Sequence, residues 1–520
     1  MAEPAESDFA TLGGAGLQDG AVKGAAWTLI HTITSVPIAF AVNLLLARVL
    51  APEGYGRLAF LTTLIGIASG ILALGLTSAM IQFGSKAHAA GRPGVVTLIL
   101  SSAQGFRLLV VAPLLTALVL ILVDVPTALL GVAIIFGVWV PAALDGAPIT
   151  LFIENKTAAG ARIAMVSNLL VQIGVVIAVL WLGTADAVWA ARIVLGAAGI
   201  ALALVAVAPR YRRAILRPTL PRHFPAGFWR FALPTGAAAL LGELALSRTE
   251  VLYLTWLSTP ETVGVFALAF GVANHVFAPA QALTGPLMPA VSGLREVAPW
   301  QLRDAFTRTL RATATVVGLL IAAALPALVV LVPTIYGDTF AEAAAPLLVL
   351  GIVGGLGVAA GPMTAFALSR LSGGWLLRVT LVALVINTVS ALALIPWLGL
   401  WGAVVANASG TLAQVLLLLH TERRNLGVTT SETLRALLPL ILGALACLTG
   451  WTASLLVEAP PLLEAVLAAS VALATLLVAL RGARTGLEEG DTRAIQRVLP
   501  RRVGVVASPF LRAVTRRTSN

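Results

Sequence analysis

The sequence predicts an all-α integral membrane protein of about 14 transmembrane helices, arranged as two parallel six-helix lobes plus two C-terminal helices. Three observations predict it. Apolar residues fill 59% of 520 positions and charged residues only 11%, where a soluble chain carries about 25% charge. The apolar residues gather in runs of twenty or more, long enough for a helix to cross roughly 30 Å of hydrocarbon and unlike the short alternating strands of a barrel. Basic residues also segregate to one side when these runs are threaded back and forth across a bilayer.

Taken in order, residues 1–23 read as a disordered N-terminal tail, acidic and rich in Gly and Ala. No basic stretch precedes an apolar core there, so we expect no cleavable signal peptide. Residues 24–208 hold spans 1–6 at about 24–47, 58–83, 95–123, 126–152, 158–182 and 187–208, the N-lobe. Residues 209–227 form a basic connector with Arg210, Arg212, Arg213, Arg217 and Arg222. Residues 228–420, the C-lobe, hold spans 7–12 at about 228–257, 263–290, 307–333, 343–369, 373–395 and 400–420. Residues 421–480 add spans 13 and 14, and residues 481–520 are a basic tail with nine Arg.

The charges test this threading. With the N-terminus inside, 29 of the 34 Lys and Arg fall on the cytoplasmic side. Only Arg48 and Arg57 fall outside, and Arg107, Arg192 and Arg248 lie within spans. A single miscounted helix would scramble this asymmetry, so both termini are expected in the cytoplasm of a cell whose inner (plasma) membrane holds the chain. The net charge of +11 is therefore a topology signal, and nucleic acid is not expected as a partner. Cys447 is the one cysteine, lies in an apolar run, and reads as an inert core residue. No phosphate-binding Gly-rich loop and no His-Glu-x-x-His zinc motif occurs, so we expect no cofactor, no metal and no enzymatic activity.

A repeat divides the chain. Pro52-Glu53-Gly54-Tyr55-Gly56 follows span 1, and Pro260-Glu261-Thr262-Val263-Gly264 follows span 7. Trp181-Leu182-Gly183 ends span 5, and Trp397-Leu398-Gly399 ends span 11. Blocks with an even number of spans enter the membrane the same way, so the repeats are parallel about an axis along the membrane normal. That geometry predicts a central cleft.

The segment Asn43–Gly56, the Leu74-Gly75-Leu76 step, Pro286-Leu287-Met288-Pro289 and Ile386 through Ala403 resemble the polysaccharide flippases, including the Wzx type, of the multidrug/oligosaccharidyl-lipid/polysaccharide exporter superfamily. The resemblance covers spans 1–12. It implies a fourteen-helix transporter working by alternating access on a lipid-linked sugar. The implied partners are a lipid-linked oligosaccharide and the lipid bilayer, with polysaccharide polymerase and assembly proteins as further candidates. We expect a monomer.

Candidate site residues are the polar groups stranded in spans. Span 7 carries Glu243, Arg248 and Glu250, each costing roughly 2.5–3.5 kcal/mol to insert. In one continuous helix, Glu243 and Glu250 share a face, while Arg248 stands over neither. Their partners must then be other helices, water or substrate. On the functional reading, Arg248 meets an anionic headgroup and the glutamates order protons, water or sugar hydroxyls. On the bland reading, Arg248 and Glu250 snorkel outward and Glu243 is a structural pair. His31, between Trp27 and Pro37, is a proton carrier or a packing residue. Asn274 and His275 in span 8 are candidates to line a cavity. Arg107 and Asp145 are candidates for a structural pair, and Asn43 and Asn387 for interhelical hydrogen bonds. Gly351-x-x-x-Gly355 and Gly357-x-x-x-Gly361 are close-packing signals.

The expected function is flipping of a polyprenyl-pyrophosphate-linked oligosaccharide from the inner to the outer leaflet. An ion-coupled small-molecule exporter and a lipid II flippase are the alternatives within the superfamily. A membrane polymerase or glycosyltransferase is disfavoured by the short exterior loops.

Overall fold

The structure is a computed structural model, which describes residues 14–487 apart from 74, 124, 223, 244–248, 285–290, 292–298 and 371–372. Two compact units divide between Leu244 and Ala245.

In the first unit α1 runs Gly14–Ala73, α2 Leu76–Ala89, α3 Pro93–Phe106 and α4 Ala112–Leu122. Then come α5 Thr127–Val132, α6 Val140–Leu144, α7 Gly146–Ile153, α8 Thr157–Leu182, α9 Ala185–Ala206, α10 Pro209–Leu216 and α11 Phe228–Glu243. Wider π-helical turns at Arg107–Val111 and Ala133–Trp139 join α3 to α4 and α5 to α6. The second unit holds α12 Thr249–Leu257, α13 Pro260–Thr284, α14 Leu302–Tyr336, α15 Ala344–Ala359 and α16 Gly361–Ser369. It continues with α17 Gly373–Leu398, α18 Leu400–Leu426, α19 Thr430–Ser454 and α20 Pro461–Gly482.

Among the described residues, 12 helical runs are long and apolar enough to cross a membrane. The step from 12 to about 14 has a local cause. Helix α1 is two helices meeting at Ala51, whose φ of 54° breaks the helical path, with Pro52 opening the second. Span 7 is described as two shorter pieces, α11 and α12, with 244–248 outside the described residues. Helix surfaces carry large exposed apolar groups, such as Ile121 at 78%, Val205 at 72% and Val478 at 71% exposure. Such a surface suits lipid and not water. The chain is a multi-pass membrane protein.

The two Trp-Leu-Gly repeats do the same work in each unit. Gly183 and Gly399 both take positive φ, 63° and 52°, in the tight turns that follow α8 and α17. Trp181 and Trp397 stand 85% and 87% exposed at these helix ends, where indole rings anchor a helix at the headgroup level. The paired prolines match as well. Pro52 follows the break at Ala51, and Pro260 is the first residue of α13, the helical position that proline favours.

Several segments differ from the sequence expectation. Residues 14–23, read as part of the disordered tail, are the start of α1, whereas 1–13 and 488–520 lie outside the described residues. Part of the 209–227 connector is helix α10, docked through buried Tyr211 and Ile215 on the core around Met80, Val96 and Leu100. Helix α11, expected to open the C-lobe, belongs to the first unit. Phe228 and Ala232 are buried in the same core, and the Phe228 ring lies 5.5 Å from Phe83 and 4.5 Å from Phe224. Gly75 explains how α11 comes so close. It sits at φ 69°, and a side-chain carbon there would fall 2.0 Å from the Ala232 carbonyl oxygen. Both demands exclude every residue but glycine.

In the second unit, Gly351 and Gly355 let α15 lie against α14. A Cβ at Gly351 would meet Leu325 at 2.5 Å, and one at Gly355 would meet Ile321 at 2.7 Å. Gly318 of α14 and Gly443 of α19 face each other so closely that a Cβ on Gly443 would stand 2.5 Å from the Gly318 Cα. Small residues drive helix association in lipid, where burying apolar area yields little. The segment Pro286–Pro289 lies outside the described residues.

Candidate functional site

Within the second unit the Glu250 carboxylate is buried between α12, α17 and α18. Glu250 of α12 is 1% exposed. Its Oε1 accepts hydrogen bonds from Asn387 Nδ2 of α17 at 2.6 Å and Asn407 Nδ2 of α18 at 2.9 Å. Thr249 Oγ1 donates to Asn387 Oδ1 at 3.3 Å, which turns the amide so that its nitrogen faces the carboxylate. The amide nitrogen also reaches the Ala406 carbonyl at 3.4 Å. The polar seam continues along the same helices, with Tyr253 Oη 3.0 Å from Thr388 Oγ1 and Ser409 Oγ donating to Ser390 Oγ at 3.1 Å.

Helix geometry brings these groups to within about one helical turn of each other in depth. Glu250 lies seven positions before the end of α12 at Leu257, and Asn407 seven after the start of α18 at Leu400. That is about 10 Å of rise in each case. Asn387 lies eleven positions before the end of α17 at Leu398, about 16 Å of rise. Gly410, one turn beyond Asn407, leaves room for Asn387, because a Cβ there would stand 2.8 Å from the Asn387 Cβ.

The bonding is half complete. Oε2 of Glu250 is buried and has no hydrogen-bond partner among the described residues. An ionised carboxylate stripped of water costs several kcal/mol unless its charge is met, and two neutral amides on one oxygen do not neutralise it.

The remaining sequence candidates are distributed as follows. Arg107, buried in the first unit, places Nη2 2.9 Å from Asp145 Oδ2. It also donates to Gln104 Oε1 at 3.1 Å and Thr77 Oγ1 at 3.4 Å. Gln104 Nε2 in turn donates to the carbonyls of Ala142 and Ala143. The network ties α2, α3 and the break between α6 and α7, where Asp145 sits 40% exposed. His31 is half-buried in α1, with Nε2 buried and lacking a hydrogen-bond partner among the described residues. His275 places Nδ1 2.6 Å from the Gly271 carbonyl one turn back on its own helix, and Asn274 beside it is exposed. Asn43 Oδ1 accepts from Tyr55 Oη at 2.7 Å, bridging the break at Ala51. Arg248 lies outside the described residues, as does the side chain of Glu243 at the end of α11. Glu243 falls in the first compact unit and Glu250 in the second.

Sequence reasoning missed Asn407. A signal was present, since Asn387 and Asn407 flank the Trp397-Leu398-Gly399 turn on consecutive spans, at depths about one helical turn apart. An isolated asparagine in a span carries no sign of which carboxylate it will meet.

Comparison with known proteins follows from this geometry. A family model described as polysaccharide biosynthesis protein matches residues 21–292. No curated protein matches. Among solved structures, lipid II flippase MurJ in an inward closed conformation is similar at 13% identity, with a TM-score of 0.64 over 88% of this chain and 99% of that one. An outward-facing multidrug resistance MATE family transporter is similar at 14% identity and a TM-score of 0.51, over 82% of this chain and 99% of that one. A MOP superfamily transporter from Pyrococcus furiosus is similar at 15% identity and a TM-score of 0.52, with the same coverage of 82% and 99%. These likenesses establish the fold, and the family model establishes the family. The chain belongs to the polysaccharide biosynthesis protein family.

Proposed function

We propose that the protein flips a polyprenyl-pyrophosphate-linked oligosaccharide from the inner to the outer leaflet of the plasma membrane by alternating access, for cell-surface polysaccharide assembly. The family match over residues 21–292 supports the substrate class. The carrying observation for the mechanism is Glu250, a buried carboxylate with one oxygen hydrogen-bonded twice and the other without a hydrogen-bond partner among the described residues. Neutralising it with a proton or a monovalent cation, and releasing that charge again, gives the transporter two states of different energy. Each state then favours a different conformation, which is what coupling requires.

Arg248 is assigned to the pyrophosphate and Glu243 to the sugar hydroxyls, on charge and span position alone. His31, Asn274 and His275 are assigned to the transport path. Net export of negative charge is favoured by the membrane potential by about 2.3 kcal/mol per charge per 100 mV. Both termini are placed in the cytoplasm, on the basic side of the threading.

Lipid II is the second substrate reading, and a specific observation favours it. The MurJ likeness covers more of the chain, at a higher TM-score, than the MATE likeness does. Deleting the gene and identifying the intermediate left on the inner leaflet separates the readings. Accumulated lipid-linked oligosaccharide supports the first, accumulated lipid II the second. Altered drug sensitivity with no accumulated intermediate contradicts both.

A further inference from the structure

A second polar site lies in the second unit, away from Glu250. The N-terminal turns of α14 and α19 and the end of α20 enclose a cleft of about 620 Å³. That volume suits a small ligand or a headgroup. Its wall carries four arginines, Arg303, Arg311, Arg435 and Arg484, against two carboxylates, Asp304 and Glu432. Arg303 is already neutralised, since its Nη2 lies 2.9 Å from both Glu432 oxygens, and Glu432 also caps α19 through the backbone of Thr429. Arg435 and Arg484 are exposed, and among the described residues neither guanidinium has a hydrogen-bond or ion-pair partner.

The backbone at Arg484 is a second, independent observation. It sits at φ 49°, a left-handed conformation that glycine adopts freely and other residues do not. The turn that forces it is hydrogen-bonded, with Arg484 N donating to Arg481 O at 3.2 Å and Thr485 N to Leu480 O at 3.1 Å. The chain has glycine on both sides of this position, at Gly482 and Gly486, yet places arginine in the strained seat. Strain held at a cleft wall points to a use for the side chain.

We infer that this cleft is a phosphate-binding site in which the Arg435 and Arg484 guanidinium groups clamp a phosphate ester. Planar guanidinium forks match phosphate oxygens in geometry and charge. A lipid headgroup is the favoured carrier of that phosphate. Leu434 and Ile441 of α19 and Val478 of α20 stand 56%, 45% and 71% exposed, within about two helical turns of Arg435 or Arg484 along the chain, where acyl chains would lie. The arginine threading puts all three helix ends on the cytoplasmic side. The inference rests on these helices spanning a bilayer and not on the substrate proposed above. A failure of flipping would therefore leave the binding result standing.

The test uses the full-length protein in neutral detergent, titrated separately with dioctanoyl-phosphatidylglycerol, dioctanoyl-phosphatidylcholine and inorganic phosphate, with the thermal unfolding midpoint as readout. The expected result is stabilisation by the phosphatidylglycerol and none by the phosphatidylcholine. Arg435→Gln and Arg484→Gly should each weaken apparent affinity about tenfold, the worth of one charge-assisted hydrogen bond. Arg484→Gly should do so while leaving the ligand-free midpoint at or above wild type, because glycine relieves the backbone. Arg213→Gln, exposed on α10 in the other unit, should leave affinity unchanged. Stabilisation by inorganic phosphate with the same dependence on Arg435 and Arg484 supports the site with a soluble occupant. No stabilisation by either anion, equal affinity in the two cleft variants and wild type, or an equal loss in Arg213→Gln overturns it.

Discussion

Asn387 Nδ2 lies 2.6 Å from Glu250 Oε1, and among the described residues it and Asn407 hold this buried carboxylate by one oxygen. Removing either amide strips a donor from a carboxylate that is 1% exposed. Asn387→Ala and Asn407→Ala should each cost about 1.5–3 kcal/mol, the range for a hydrogen bond to a charged group. Thermal unfolding in detergent measures this. A loss in both variants no larger than for an exposed alanine substitution would show that Glu250 is held otherwise.

Gly410→Ala should reproduce much of the Asn387→Ala defect without removing any polar group. The new methyl would stand 2.8 Å from the Asn387 Cβ, too close for either to remain, so the amide must shift off the carboxylate. Gly196→Ala, whose Cβ would meet nothing within 4 Å, is the matched control. Transport rates in cells complemented with each variant should fall for the first and hold for the second.

Arg107 and Asp145 make the corresponding test in the first unit. Asp145→Ala leaves a buried guanidinium with Gln104 and Thr77 as its partners among the described residues. The Asp145 carboxylate is 40% exposed, so solvent screening discounts its share, and the expected loss is about 1–2 kcal/mol. A double-mutant cycle with Arg107→Met reports the coupling. Additive effects would show that the 2.9 Å contact carries no stability of its own.

His88 gives a pH test outside the spans. Its Nδ1 is 2.9 Å from Tyr211 Oη, which fixes the connector helix α10. Burial pushes the imidazole below its ordinary 6.5, opposed by Glu154 and reinforced by Arg210 and Lys156. With the folded value depressed, the native state prefers neutral His88. Its contribution is intact above pH 6.5 and is lost as pH falls through the folded value. Hydrogen exchange in α10 should therefore accelerate on acidification, and His88→Gln should flatten that response. An unchanged acid response in His88→Gln would dismiss His88 as its source.

The fold was legible because a bilayer leaves the chain little choice. Apolar runs, the one-sided arginines and the Trp-Leu-Gly turns at Gly183 and Gly399 each follow from a local requirement. Arg107 and Asp145 could be paired on paper because each is an obvious orphan charge in its span. The environment of Glu250 could not. It depends on two asparagines whose sequence context looks like any helix contact, and on Gly410 leaving space for one of them. The placement of α11 was hidden for a related reason. A repeat in sequence marks where spans begin, whereas Phe228, Ala232 and the clearance at Gly75 decide which core the helix joins.

The proposed function requires that a lipid-linked oligosaccharide cross the bilayer and that Glu250 couple its movement. The most direct measurement is transbilayer movement of a fluorescent polyprenyl-pyrophosphate oligosaccharide in proteoliposomes, wild type against Glu250→Gln, with and without an imposed H⁺ or Na⁺ gradient. The account predicts gradient-sensitive movement in wild type. It also predicts at least about tenfold slower, gradient-insensitive movement in Glu250→Gln, equivalent to about 1.4 kcal/mol or more of lost coupling. Wild-type protein that leaves this lipid in place, or a Glu250→Gln variant that moves it at the wild-type rate with the same gradient response, would contradict it.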